Sequence, residues 1–455
     1  MLVELKSRMR IPTSRGLADA VSGAVSDGVL SDGDRLPPIR AVAKALNLSP
    51  TTVNAAWALL VRGGVLHTDG RRGTVVALRV GASGTGRGGP DAGLTRYRTA
   101  LEKTSLFELD LATGVPDPDL LPDLSAALRR VPDSRHVNSY LDDAALPGLV
   151  EVLRQDWPSA AGRFAIVDGA MDATAQIASQ LLRFGDRVVV EHPTFPPLLD
   201  LLESMGISFT GVGVDGSGMI AAELAAAMTS DVKVVFLQPR AQNPTGISYS
   251  AGRIAELAAF LGGTDVIVVE DDSAGAISSS PAVSIGSHLP EHTLHIRSFS
   301  KSHGPDLRLA AMSGPVDLME RISERRRLGQ GWTSRLLQSV LLELLTQPAS
   351  VAQVEHARLT YARRREDLVA SLAVHGVQVA AQDGINLWLP VMDETAALLR
   401  LAASRIGAAA GRPFASRAED GAYLRVTCGR VASRHEEVAS ELVAATRLWG
   451  WRETR

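Results

Sequence analysis

Apolar residues recur at helical spacing twice near the start of the chain. Ile39, Val42, Ala43 and Leu46 fall at i, i+3, i+4 and i+7, which predicts a helix over residues 38–46. Val53, Ala56, Trp57 and Leu60 repeat the same spacing. Ser49 stands where a helix N-cap belongs and Pro50 at the first helical position, so a second helix is expected to start there. Gly63 and Gly64 stop it. Val65-Leu66 and residues 74–76 are then expected to pair as strands around Asp69-Gly70-Arg71-Arg72-Gly73.

Further along, short β-branched runs alternate with amphipathic stretches. The runs are residues 164–167, 187–191, 232–237, 266–270 and 294–299, and helical stretches cover residues 171–182 and 253–261. Buried parallel strands separated by helices are the expected reading, an α/β body. From about residue 330 long helical patterns dominate, which predicts a smaller C-terminal α+β subdomain. Between the two patterns lies GASGTGRGGPDAG, residues 81–93, where glycine replaces all periodicity. The expected division is therefore a head over 1–80, a glycine-rich linker over 81–107 and a body over 108–455.

Composition narrows the class. The 455 residues are 45% hydrophobic and 21% charged, as in ordinary buried cores. No apolar run approaches the ~20 residues of a membrane span, and the start, MLVELKSRMR, has no apolar stretch of the kind a secretory leader needs. The single cysteine, Cys428, rules out an intrachain disulfide and a cysteine-rich metal site. The cytoplasm is the expected setting. Net charge is only -3, but residues 1–80 carry 11 Lys/Arg against 6 Asp/Glu. A basic head on an acidic body suits a DNA-binding module attached to something else.

The head pattern is that of a winged helix-turn-helix. Its second helix would enter the major groove by its N-terminus, presenting Thr51, Thr52 and Asn54. Hydroxyls suit phosphate contacts and Asn can read an adenine edge. Arg71 and Arg72 at the tip of the wing would meet the backbone or minor groove, and Arg40 would grip a phosphate. The segment GDRLPPIRAVAKALNLSPTTVNAAWALLVRGGVL, with the RRG that follows, resembles the GntR family of regulators over about 65 residues. It departs from that family at Pro50 and Asn54, where many members carry arginine, so a different operator sequence is expected.

The body carries SFSKSHGPDLR, residues 298–308. A lysine just past a strand, with hydroxyls beside it and an arginine seven residues on, suits pyridoxal phosphate (PLP). Lys301 would capture the cofactor aldehyde. Ser298 and Arg308 would hold its phosphate. VIVVEDD places Asp271 and Asp272 at a strand end, and Asp271 is the favoured partner of the pyridine nitrogen. Asn243 in PRAQNPTG would donate to the phenolic O3′. Amides of Ala170 and Met171 at a helix N-terminus would cradle phosphate. Phe195 in EHPTFPP would stack on the ring or simply fill the core. Each motif alone also fits a turn, a cap or a core position.

Together these motifs resemble the fold-type I aminotransferases of class I/II over roughly residues 108–450. That resemblance implies that Tyr140 reaches the phosphate of a neighbouring subunit and that Arg425, in LRVTCGR, binds a substrate carboxylate; a surface ion pair is the plainer role for Arg425. Relatives carry a tyrosine two or three residues after the pyridine acid, where this chain has Ser273 and Ala274. The departure bears on transamination more than on cofactor binding. A GntR-like head before an aminotransferase-like body resembles the MocR/GabR family. This implies a head-to-tail homodimer on a double-stranded DNA operator, with PLP itself or a small amine or amino acid as effector. Two rivals stand beside that reading: a working aminotransferase with an accessory DNA module, and a DNA-binding protein whose body is a scaffold without cofactor.

Overall fold

The computed structural model describes residues 1–9, 11–26, 29–31, 33–62, 66–69, 73–76, 107–131, 143–160, 162–418 and 421–448. In the head, the helices Leu2–Arg8, Ser14–Ser26, Ile39–Leu46 and Pro50–Arg62 precede a hairpin of β1 (Leu66–Asp69) and β2 (Gly73–Val76). Asn47 ends the third helix in the left-handed conformation, which turns the chain tightly into the fourth. Ser49 caps that fourth helix, its Oγ accepting from the Thr52 amide at 2.9 Å. The expected apolar stripe packs inward: Val53, Ala56, Trp57 and Leu60 are buried with Val42, Ala43 and Leu46. The two N-terminal helices complete that core through Leu5, Leu17 and Val21, and the sequence pattern had not suggested them.

Among the described residues the body is built on an eight-stranded sheet in the order β4-β11-β10-β9-β8-β5-β6-β7. The strands are β4 (Arg163–Val167), β5 (Arg187–His192), β6 (Ser208–Asp215), β7 (Gly218–Met219), β8 (Val232–Leu237), β9 (Ile267–Asp272), β10 (Thr293–Ser298) and β11 (Ala310–Gly314). A two-residue strand, β3 (Leu109–Asp110), precedes them and lies outside this sheet. All five expected runs are strands, and β5, β6, β8, β9 and β10 pair in parallel. The parallel expectation needs two corrections: β11 inserts antiparallel between β4 and β10, and the short β7 pairs antiparallel with β6. The β11 residues Ala310-Ala311-Met312 are small and buried on both faces, so no alternation marked that strand.

A second cluster forms around β12 (Leu387–Val391), β14 (Ala409–Ala410) and β15 (Ala422–Val426), with β13 (Ile406–Gly407) pairing β3. The helix Arg335–Thr346 packs with Phe164 and Phe299 on the large sheet, whereas the long helix Pro348–Val374 delivers Leu368 and Leu372 to the second cluster. No helix among the described residues is long and apolar enough to cross a membrane.

Candidate functional site: a cofactor crevice and a DNA-facing helix

The parallel strands end along one edge of the sheet, and their last residues line a single crevice, where ligands of open α/β sheets are found. Asp271 is the penultimate residue of β9, Gln238 follows β8, Glu191 lies near the end of β5 and Ser298 ends β10. Asp271, Met171, Phe195, Gln238 and Glu191 share the lining of one pocket. The Asp271 Oδ2 accepts from Gln238 Nε2 at 2.9 Å, while its Oδ1 is buried without a hydrogen-bond partner. Burial, reinforced by neighbouring Asp272, pushes the Asp271 carboxyl up to about 6. Asp272 turns to the opposite face of the strand and pairs with Arg240, whose Nε stands 3.2 Å from Oδ1. Burial opposes that ionised form, but Arg240 outweighs it and the Asp272 carboxyl lies below its usual range. Alternation along β9 thus separates the two acids into a pocket acid and a structural one.

Lys301 stands three residues past β10 and donates from Nζ to the Gly114 carbonyl. Burial lowers its amine to about 8, with the Arg425 guanidinium adding to the effect and Asp271 opposing it. A larger neutral fraction makes the amine a better nucleophile near neutral pH. Gly114 has φ +64°, and a Cβ there would lie 3.0 Å from Arg425 Nη1, so the loop passes between lysine and arginine only as glycine. Arg425, on β15, is fully buried; it donates to the Ala112 carbonyl, lies over the Phe414 ring at 5.1 Å, and its Nη1 reaches Asn243 Oδ1 at 3.5 Å. The surface-ion-pair alternative for Arg425 is thereby removed.

At the other end of the crevice, Gly169 enters the helix Ala170–Leu181 at φ +102° and supplies no side-chain cap. The amides of Ala170 and Met171 open that helix, beside Arg308, which donates from Nη2 to the Asp168 carbonyl at 3.2 Å. A Cβ on Gly169 would come within 2.6 Å of that guanidinium, so glycine keeps the cradle open. Ser298 is buried, and its Oγ accepts from the Ser300 amide at 3.3 Å.

Two residues went unnoticed in the sequence. Gln238 ties the site together: beyond its bond to Asp271, its Oε1 accepts from the Asn243 amide at 2.7 Å. Glu191 accepts from the Tyr249 hydroxyl at 2.7 Å, and burial raises it to about 7. Nothing local flagged either residue; only the strand topology brings them to Asp271.

In the head, Arg40, Thr51 and Asn54 are exposed, as a DNA-facing surface requires. Thr52 is half-buried, and its hydroxyl lies 2.8 Å from Ser49 Oγ, so it serves the cap as well as the surface. Arg71, Arg72 and Tyr140 lie outside the described residues.

Residues 108–442 match the family described as aminotransferase class I and II. The chain belongs to that family. Residues 13–76 match the bacterial regulatory proteins of the gntR family. The chain therefore joins a GntR head to a class I/II aminotransferase body, the arrangement of MocR-type regulators. It is 35% identical to the vitamin B6 salvage pathway transcriptional repressor PtsJ of Salmonella typhimurium, over 83% of this chain and 85% of that one. It is 28% identical to the transcriptional regulator TauR of Rhodobacter capsulatus, over 91% and 93% of the two chains. The fold is that of an archaeal alanine:glyoxylate aminotransferase, with TM-score 0.71 at 19% identity over 79% of this chain and 96% of that one. Pyrococcus horikoshii kynurenine aminotransferase gives TM-score 0.70 at 22% identity, over 80% and 95%.

Proposed function

We propose that this chain is a transcription regulator whose body binds PLP at Lys301 and whose head binds operator DNA according to the state of that site. The observation that carries the cofactor reading is the unpartnered, buried Oδ1 of Asp271 in the crevice. A buried carboxylate oxygen without a donor is costly, and a protonated pyridine nitrogen supplies the missing donor. The open cradle at Gly169, with the Ala170 and Met171 amides, Arg308 and Ser298, suits a phosphate dianion. The residues present therefore fit PLP.

When bound, the cofactor supplies an aldehyde for amine capture and an electron-withdrawing ring. The chain's own groups do the rest. Lys301, held near neutrality, provides the nucleophilic amine. Asp271 would hold a proton on the ring nitrogen through Oδ1, since Gln238 already occupies its other oxygen. Asn243, with Oδ1 turned toward Arg425, keeps its Nδ2 as the donor for O3′. Phe195, in the lining of the pocket, would lie against the ring and shield it from water. Arg425 offers a carboxylate its bidentate fork.

A B6 vitamer as the signal is supported by the relative PtsJ, a vitamin B6 salvage pathway repressor, and by Ala274 where a phenol would serve turnover. An amino acid docking its carboxylate on Arg425 is the second reading, favoured by the burial of that guanidinium. Likeness to regulators along most of the chain speaks against a free-standing aminotransferase. A head-to-tail homodimer, with Tyr140 completing the partner's phosphate site, belongs to the same proposal.

The test is covalent. Full-length protein incubated with PLP and reduced with borohydride should gain one phosphopyridoxyl mass, located at Lys301 and absent from Lys301→Ala. A colourless sample without that adduct would defeat the proposal.

A further inference from the structure

The helix Glu394–Ala403 of the C-terminal subdomain has two apolar faces. Ala397 and Leu401 point into the subdomain core. Leu399 points the other way, is only 7% exposed, and joins the core cluster of the head. The helix packs against both Ser14–Ser26 and Pro50–Arg62 of the head. It meets them away from the DNA-facing surface, since Thr51 and Asn54 stay exposed.

The first turn of this helix is tied to the crevice. Glu394 Oε1 accepts from the Arg412 amide at 3.1 Å and the Tyr423 amide at 3.4 Å. Arg412 opens a segment that bonds directly to the loop carrying Phe195. The Phe414 carbonyl accepts from the Thr194 amide at 2.9 Å, and Ser416 Oγ donates to the Glu191 carbonyl at 2.8 Å. The same Phe414 ring lies under Arg425. Any ligand that moves Phe195 or Arg425 therefore pulls on segment 412–417, and through Glu394 on the helix that carries Leu399.

We propose that the Leu399 face is the seat of this chain's DNA-binding head, and that segment 412–417 with Glu394 sets the seat's position by the occupancy of the crevice. This rests on the reading of the crevice as the PLP site. The seat is apolar, and PLP biases its position only through its differential affinity for the two arrangements.

The test measures operator affinity with and without saturating PLP, using full-length protein and a labelled duplex selected by the wild-type chain from random sequence. In the wild type PLP should shift that affinity about tenfold, within the usual range of allosteric coupling. Leu399→Asp should bind PLP and the duplex each within about twofold of wild type, while the PLP-induced shift falls below about twofold. Glu394→Ala should reduce the shift with the head still seated. Leu399→Ala, milder and outside the subdomain core, should reduce it less than Leu399→Asp. A wild-type shift that survives in Leu399→Asp defeats the seat alone. A wild-type chain that takes up no PLP defeats the crevice reading, and the seat's role with it.

Discussion

The head and the body bury different things. Among the described residues, no polar or charged residue of the head is buried, and its core is Leu, Val, Ala and one Trp. The body buries Glu191, Glu270, Asp272, Arg240, His295, Arg297 and Arg425, several with no more than a few per cent exposure. A hydrocarbon core gains stability from area alone, at about 25 cal/mol per Å². Buried charges cost free energy unless each finds a partner. The head thus spends its interior on folding and keeps its chemistry outside, where DNA is. The body holds its chemistry inside, where a small ligand can be desolvated.

The sharpest way to break this contrast is Trp57→Ala. The indole is 2% exposed in the head core, and such a truncation costs about 3–5 kcal/mol. Thermal unfolding followed by far-UV circular dichroism should split, with an early head transition and a body transition close to wild type. A body that melts together with the head would mean that the two cores are one.

Asp271→Asn probes the opposite kind of core. The Asp271 carboxyl sits at about 6 rather than its usual 3.8, so the apo fold favours its protonated form. That contribution is present in acid and lost as pH rises from about 4 through 6. Apo Asp271→Asn, which cannot ionise, should therefore gain on wild type by about 1–3 kcal/mol between pH 4.5 and 7.5. In the same variant PLP affinity should fall by roughly ten- to a hundredfold at pH 7.5, since a charge-assisted hydrogen bond is worth about 1.5–3 kcal/mol. A pH-independent stability difference would show that Asp271 does not titrate in the crevice.

Gln238→Leu sharpens the same point. Without the Nε2 donor the ionised acid loses support, so the acid limb of PLP affinity should move to higher pH. The same substitution takes the acceptor from the Asn243 amide, so the thermal midpoint of the apo protein should fall as well, by the equivalent of about 1–3 kcal/mol. A uniform loss of affinity at all pH values would reduce Gln238 to a packing residue.

The smallest effect belongs to the head's surface. Thr51→Ala should weaken operator binding by about 1 kcal/mol and leave both unfolding transitions in place. Anisotropy titrations at fixed salt would read it.

The same contrast explains what the sequence made legible. In the head, helical spacing of apolar residues, Ser49 and Pro50 were enough to draw two helices, because among the described residues no polar or charged side chain interrupts the run of buried Leu, Val, Ala and Trp. The first two head helices were missed: the one carrying Leu5 is only seven residues long, too short to repeat a period, and Leu17 and Val21 sit among glycines and small residues that blur it. In the body the β-branched runs marked five strands, while β11, made of Ala and Met, left no trace. Lys301, Asp271, Asn243 and Arg425 were found by motif. Gln238 and Glu191 were not, because their roles arise where β5 and β8 converge on β9, and no local spacing encodes that meeting.

The most direct measurement of the central claim is operator affinity against PLP concentration, for wild type and Lys301→Ala at one ionic strength. A saturable shift of about tenfold is expected in the wild type and none in Lys301→Ala. A flat wild-type curve, or the same shift without the lysine, would contradict it.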